Sequence, residues 1–128
     1  MKAYRLTLSL RSPFARRIRL ALHRMDVRFE EDVVNVFEPP TWLFKRNPLG
    51  LVPILTTPEE RHLADSDAIL EHLDETLGRR IWPSDAGLRF DARSASVLAK
   101  GIMTATVAYF LETQRTDAAP SRIWMDEY

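Results

Sequence analysis

The chain has no cysteine among its 128 residues. Disulfide stapling is therefore excluded, and with it any nucleophile or redox couple built on a protein thiolate. Sulfur chemistry, if there is any, must use a thiol that arrives with a ligand. A net charge is lacking too, because eighteen lysines and arginines balance eighteen aspartates and glutamates. With no aromatic residues interleaved in a basic stripe, that balance leaves no electrostatic footprint for nucleic acid. No apolar run approaches the ~20 residues of a membrane span. The segment from Met1 to Arg11 has neither the apolar core nor the small-residue cleavage site of a signal peptide, so a cytoplasmic protein is expected. Three histidines, His23, His62 and His72, stand far apart without ligand spacing and read as surface residues, so no metal is expected. Internal repeats and low-complexity tracts are absent.

What is present is ordinary for a globular protein: 45% hydrophobic and 28% charged residues, enough to bury a real core in one full domain plus an appendage. Residues 3 to 8 are β-rich. Ser12-Pro13 then has the signature of a helix start, serine as N-cap and proline at the first helical position. Phe14, Ile18, Leu22 and Met25 recur at helical spacing as one apolar face, with Arg16, Arg17, Arg19 and Arg24 read as a solvated face. Residues 27 to 36 suit a second strand, which makes a βαβ unit with a parallel pair. Residues 41 to 46 suit one helical turn. Pro53 to Thr57 and Arg61 to Ala64 read as an antiparallel hairpin joined by Pro58-Glu59-Glu60.

Ser66 reads as the cap of a further helix that buries Ile69, Leu70, Leu73 and Leu77 and stops at Gly78. A long helical pattern follows from Leu88 to about Thr113. Its apolar residues occupy two sides, Ala95, Leu98, Ile102, Ala105 and Tyr109 on one, Met103, Val107, Phe110 and Leu111 on another. A surface that wide needs partners on more than one flank. A break is expected at Ala118-Ala119-Pro120, with a short helix from Ser121 to the end.

Two local patterns point to a peptide-like ligand. A proline that opens an apolar run, as Pro53 does, marks a strand end without a backbone donor, and X-Pro is the peptide that adopts cis cheaply. A cis bond would turn the Val52 N–H and C=O outward, where an extended peptide could pair with them; the other reading is a simple turn. Asp65 beside a helix N-terminus bearing the Ser66 hydroxyl can hold an α-amino acid end, ammonium on Asp65 and carboxylate on Ser66. A plain cap with an acidic first turn fits those residues equally well.

Asn47-Pro48-Leu49-Gly50-Leu51-Val52-Pro53, about fifty residues into a chain that opens with a strand and Ser12-Pro13-Phe14, resembles the glutathione S-transferase family. Ser-Pro-Phe is similar to the first helix of its serine-type members. Asp65-Ser66-Asp67-Ala68-Ile69 resembles the Glu/Gln-Ser-x-Ala-Ile that opens the third helix. The resemblance implies an α/β fold: a thioredoxin-like glutathione-binding domain over residues 1–78 in the order βαβ–ββα, a linker over 79–87, and a short all-helical segment over 88–128. In the family the helical domain continues, so the chain looks truncated.

The implied co-substrate is glutathione. Ser12 sits where a glutaredoxin carries its reactive cysteine, so its hydroxyl would donate to the ligand sulfur as the catalytic group, with Ser9 as second choice. A hydrogen bond to a charged group, ~1.5–3 kcal/mol, would lower a thiol pKa by ~1–2 units. Val52 and Pro53 would pair with the peptide backbone, and Asp65 and Ser66 would grip the γ-glutamyl end. Two departures weaken binding. Asp65 is a methylene shorter than the usual Glu, and Leu51 stands where many relatives carry a Lys or Gln for the glycyl carboxylate, which leaves Lys45 as the nearest candidate. The implied activity is conjugation of glutathione to a small electrophile by a homodimer, with no nucleic acid or membrane partner. The alternatives are a non-catalytic dimerisation scaffold and a glutathione-dependent lyase or isomerase.

Overall fold

Side chains alternate across a strand, so the burial of Tyr4–Leu8 (β1) sets the layers: Leu6 and Leu8 face one side, Thr7 the other, and all three are buried. Both faces of the sheet must therefore be covered. The computed structural model describes residues 3–78, 81–116 and 119. After β1 come Pro13–Arg24 (α1), Phe29–Val33 (β2), Thr41–Arg46 (α2), Ile54–Thr56 (β3), His62–Ala64 (β4), Ser66–Thr76 (α3) and Ala86–Thr113 (α4). Four strands form one sheet in the order β2-β1-β3-β4. The β1/β2 pair is parallel and the other two pairs are antiparallel. This is the expected order βαβ then ββα.

Leu6, Leu8 and Leu55 meet Ala15, Ile18, Leu22 and Met25 of the α1 region and Ile69, Leu70 and Leu73 of α3 in one core cluster. Phe14 is only half-buried, and Ala15 takes its place on the buried face. On the far side of the sheet Arg46 of α2 donates to Thr7 Oγ1 at 3.0 Å and pairs with Asp32 at 2.7 Å, its guanidinium lying 4.3 Å from the Trp42 ring centroid. Short α2 is thus pinned by charge and by buried Leu43 rather than by helix propensity.

Several boundaries differ from the sequence reading. Strand pairing ends when the partner ends, so the second strand is Phe29–Val33 rather than 27 to 36, and β3 begins at Ile54, one residue after Pro53. The N-cap of α3 is Asp65, not Ser66: at φ +74° its carboxylate turns back to accept the Asp67 N–H at 2.8 Å, which makes Ser66 the first helical residue. Gly78, at φ +92°, follows the helix end as expected. Asp85 caps α4, so that helix starts at Ala86 rather than Leu88, and it ends at Thr113 as expected. The helix expected from Ser121 lies outside the described residues.

The chain divides into two units, Met1–Ser84 and Asp85–Tyr128. In the second, α4 has no buried residue, and Leu88, Phe90, Val97, Leu98 and Ile102 are exposed. By length and composition alone α4 is apolar enough to cross a bilayer. That corrects the expectation that no stretch approaches a span. The sequence reading sought an uninterrupted apolar run, whereas 94–111 mixes small polar residues with a single charge, Lys100.

Asp74 was not singled out in the sequence, yet it is buried and fastens the described end of the linker. Its Oδ1 accepts the N–H of Ile81 at 2.8 Å and of Trp82 at 3.0 Å, and both side chains pack on the core cluster. A hydrogen bond to a charged acceptor is worth ~1.5–3 kcal/mol. Asp74→Ala is therefore expected to destabilise the chain by about 2–3 kcal/mol in urea unfolding and to remove hydrogen-exchange protection at Ile81 and Trp82. Unchanged protection there would refute the latch.

Candidate functional site

One row of the sheet places the candidate residues. Thr7 of β1 is opposite Ile54 of β3, and Ile54 is opposite Ala64 of β4. Because β3 runs against both neighbours, its start lies beside the ends of β1 and β4. Two residues before Ile54 is Val52; two residues beyond Thr7 is Ser9, and two beyond Ala64 is Ser66. Three segments separated by up to fifty-seven residues (Ser9 to Ser66) thus leave the sheet at the same end.

At the first exit the Ser9 carbonyl accepts the Ser12 N–H at 3.0 Å, a tight turn that delivers Ser12 to the N-terminus of α1. The Ser12 Oγ accepts the Ala15 N–H at 3.1 Å, which makes it the N-cap. A hydroxyl has a proton and two lone pairs, so capping uses an acceptor site and leaves the O–H to donate elsewhere. Capping and donation to a ligand are compatible on this one oxygen. Ser9 and Ser12 line the same cavity, which is set against α1.

At the second exit the Val52–Pro53 peptide bond is cis. No hydrogen bond engages the Val52 backbone among the described residues. The approach to it is built by Asn47, which is buried: its Nδ2 donates to the Leu51 carbonyl at 2.9 Å, its Oδ1 accepts the Leu49 N–H at 3.1 Å, and its own carbonyl accepts the Gly50 N–H at 2.9 Å. Gly50 is required here, since φ is +66° and an added Cβ would come within 2.6 Å of the Phe44 ring. Leu51 is exposed. Lys45 is exposed on α2, and among the described residues no contact joins it to Val52, Asp65 or Ser66.

At the third exit exposed Asp65 caps α3, and Ser66 is buried. Arg17 corrects the reading of the α1 arginines as a solvated face. Its Nη1 donates to Ser66 Oγ at 3.2 Å and to Asp67 Oδ1 at 2.7 Å, and its side chain is only 16% exposed. Sequence reasoning missed it because fifty residues separate the partners. Position 17 lies one position before Ile18 on the buried face of α1, a flank aimed at α3, and that was the available signal. The bridge holds the N-terminal turns of both helices at one distance and fixes the Ser66 hydroxyl as an acceptor toward Arg17, leaving its proton to donate. Among the described residues no group of histidine, aspartate and glutamate could hold a metal ion.

Residues 11–76 match the model of the glutathione S-transferase N-terminal domain. The chain is 30% identical over 111 residues to mouse glutathione S-transferase omega-1, covering 85% of this chain and 45% of that protein. Drosophila pyrimidodiazepine synthase is 35% identical over 77 residues, which are 57% of this chain and 32% of the relative. Among solved structures, a glutathione S-transferase from Methylobacterium radiotolerans in complex with glutathione sulfonate superposes with a TM-score of 0.91 at 31% identity, over 98% of this chain and 60% of that one. One from Methylobacillus flagellatus with glutathione bound gives 0.86 at 28% identity, over 98% of this chain and 62% of that one. The chain thus spans about half the length of the first relative and about three-fifths of these structures.

The Arg17 bridge is testable by a double-mutant cycle. Asp67 is 46% exposed, so solvent screens the pair and its coupling should be about 1 kcal/mol rather than the several of a dry pair. Arg17→Met alone is expected to cost about 1–2 kcal/mol, because it also removes the bond to Ser66. A coupling of zero between Arg17→Met and Asp67→Asn in urea unfolding would show that the pair holds nothing.

Proposed function

The chain belongs to the glutathione S-transferase family, and from that premise we propose that it binds glutathione along the sheet end from which Ser12, Val52 and Ser66 emerge and stabilises its thiolate for attack on an electrophile. The shared row Thr7–Ile54–Ala64 supports this reading, because the three chain exits beside it leave one end of the sheet, where one extended tripeptide would meet Ser12 at its thiol, Val52 at the backbone of the same central residue, and Asp65 and Ser66 at its γ-glutamyl end. Ser12 donates to the sulfur from the positive end of α1. Val52 pairs with the central residue through its backbone, next to Pro53. Asp65 takes the ammonium and Ser66 the carboxylate of the γ-glutamyl end. With Leu51 lacking a charge, the glycyl carboxylate is left to Lys45 or to solvent.

A reaction on the reduced thiol belongs in a reducing compartment, here the cytoplasm. The glutathione-binding domain we assign is 1–78 together with the Ile81 and Trp82 that Asp74 fastens to it, and 88–128 is part of a helical domain whose first helix opens at Ala86. A homodimer is the expected assembly, since the exposed apolar residues of α4 form a surface that needs a partner. Light scattering should show a mass that moves from monomer to dimer with concentration, and a monomer at every concentration would count against it.

The non-catalytic scaffold has one observation in its favour: Asp65 already spends an oxygen on capping α3. Calorimetric titration separates the two readings. Millimolar or tighter glutathione binding supports the enzyme, and its absence leaves the scaffold. In a protein that binds, Ser12→Gly removes the hydroxyl at a cost of only a few tenths of a kcal/mol to the cap. The pKa of bound glutathione, followed by thiolate absorbance, should rise by ~1–2 units with the Tm nearly unchanged. A rise in Ser9→Gly instead would transfer the role to Ser9, and no rise in either variant would end the hydroxyl mechanism.

A further inference from the structure

The row that gathers the three exits is also the row that Arg46 grips. Asp32 of β2, Thr7 of β1 and Ile54 of β3 lie side by side in register. From the last residue of α2, Arg46 Nη1 donates to Thr7 Oγ1 at 3.0 Å and to Asp32 Oδ2 at 2.7 Å. Thr7 is wholly buried, so its hydroxyl has left water and accepts a guanidinium donor instead. Helix α2 would not stay in place by itself: it has six residues, no side-chain bond at its N-cap, and only Leu43 buried. With Ile54 fixed by strand pairing and Arg46 by its side chain, the segment from Asn47 to Pro53 is tied to one row at both flanks. Asn47 braces it from within, through Leu49, Gly50 and Leu51. Val52 is carried between these supports, with no hydrogen bond to its backbone among the described residues.

We propose that Arg46 is a positioning residue of the glutathione site: by clamping α2 to Thr7 and Asp32 it holds the Val52 edge in the geometry that accepts a peptide before any ligand arrives. The ligand is taken from the reading above, on which this inference rests. Arg46 is not asked to touch it, because its Nη1 is engaged by Thr7 and Asp32 and the effect passes along the backbone from Asn47 to Val52. Losing Arg46 would not strand Asp32 either, since Arg5 Nε stands 4.0 Å from the same carboxylate oxygen. What is lost is the tie between the sheet and α2. A binding edge that is aligned for only a fraction of the time raises the apparent Kd by the inverse of that fraction, while the complex, once formed, is unchanged. An edge aligned about one-tenth of the time would thus weaken glutathione binding about tenfold and leave the thiolate, which is set by Ser12, as it was.

The test compares the wild type with Arg46→Met, which keeps the stem and removes the donors, and with Asp32→Asn, which keeps the shape and weakens the same tie. Binding is measured where urea curves show every protein fully folded, so that lost stability by itself cannot move Kd. Arg46→Met should raise the calorimetric Kd for glutathione about tenfold and Asp32→Asn about threefold, and Asp32→Asn should add nothing in the Arg46→Met background. The pKa of bound glutathione should stay at its wild-type value in both. In the free protein, amide exchange at Asn47, Leu49 and Gly50 should run about tenfold faster in Arg46→Met, with the amides of β1 and α3 unchanged. An unaltered Kd in a folded variant, a shifted thiol pKa, or faster exchange spread equally over β1 and α3 overturns the proposal. If Arg46→Met does not fold, Asp32→Asn decides by the same readings. If the wild type binds no glutathione, the glutathione reading falls, and the exchange data alone decide whether Arg46 holds the Val52 edge: acceleration confined to Asn47, Leu49 and Gly50 supports it, and its absence refutes it.

Discussion

The antiparallel pairing of β3 with both β1 and β4 is the constraint on which the rest depends. β3 and β4 are only three residues long, yet their register decides which residues reach the sheet end together. A slip of one residue would exchange the faces, burying the side toward α2 in the α1/α3 core and turning Leu55 away from it. It would also move Val52 out of line with Ser9 and Ser66. The register is secured by burial: Ile54, Leu55 and Thr56 are all buried, with Leu55 in the core cluster and Ile54 and Thr56 outside it. Hydrophobic packing on two faces therefore sets the geometry of a polar site that contains none of those three residues.

Much of this was legible in the chain because the signals were local. Ser12-Pro13 announced a helix start in two adjacent residues, and Asn47 to Gly50 carried part of the family resemblance, with a glycine that the structure needs at positive φ. The spacing of Ile18, Leu22 and Met25 located the buried side of α1. Where the signal was non-local, the reading failed. Arg17 looks like its neighbours Arg16 and Arg19 until α3 packs beside it. Asp74 looks like a surface carboxylate on an amphipathic helix, although two backbone donors from Ile81 and Trp82 bring it inside.

The α3 cap shows a subtler limit. Asp65 and Ser66 are both good caps, and composition does not choose between them. The choice is made by the strand before them, because β4 ends at Ala64 and Asp65 alone takes a positive φ to turn the chain into the helix. Four groups then share one corner: a carboxylate on the cap, a buried hydroxyl, and a guanidinium tied to the next carboxylate. Two carboxylates against one guanidinium leave one net negative charge there. In the proposed reading that excess charge is what the ammonium of the γ-glutamyl end would meet.

The latch from Asp74 to the backbone of Ile81 and Trp82 redraws the boundary that the helix end at Gly78 suggests. A polypeptide cut just after that glycine would leave a buried carboxylate without its donors and strip two side chains from the core surface. For anyone grafting the first unit onto another protein, or reading a protease digest of it, the workable cut therefore lies beyond Trp82. The residues that look like a tether are the last course of the domain's wall.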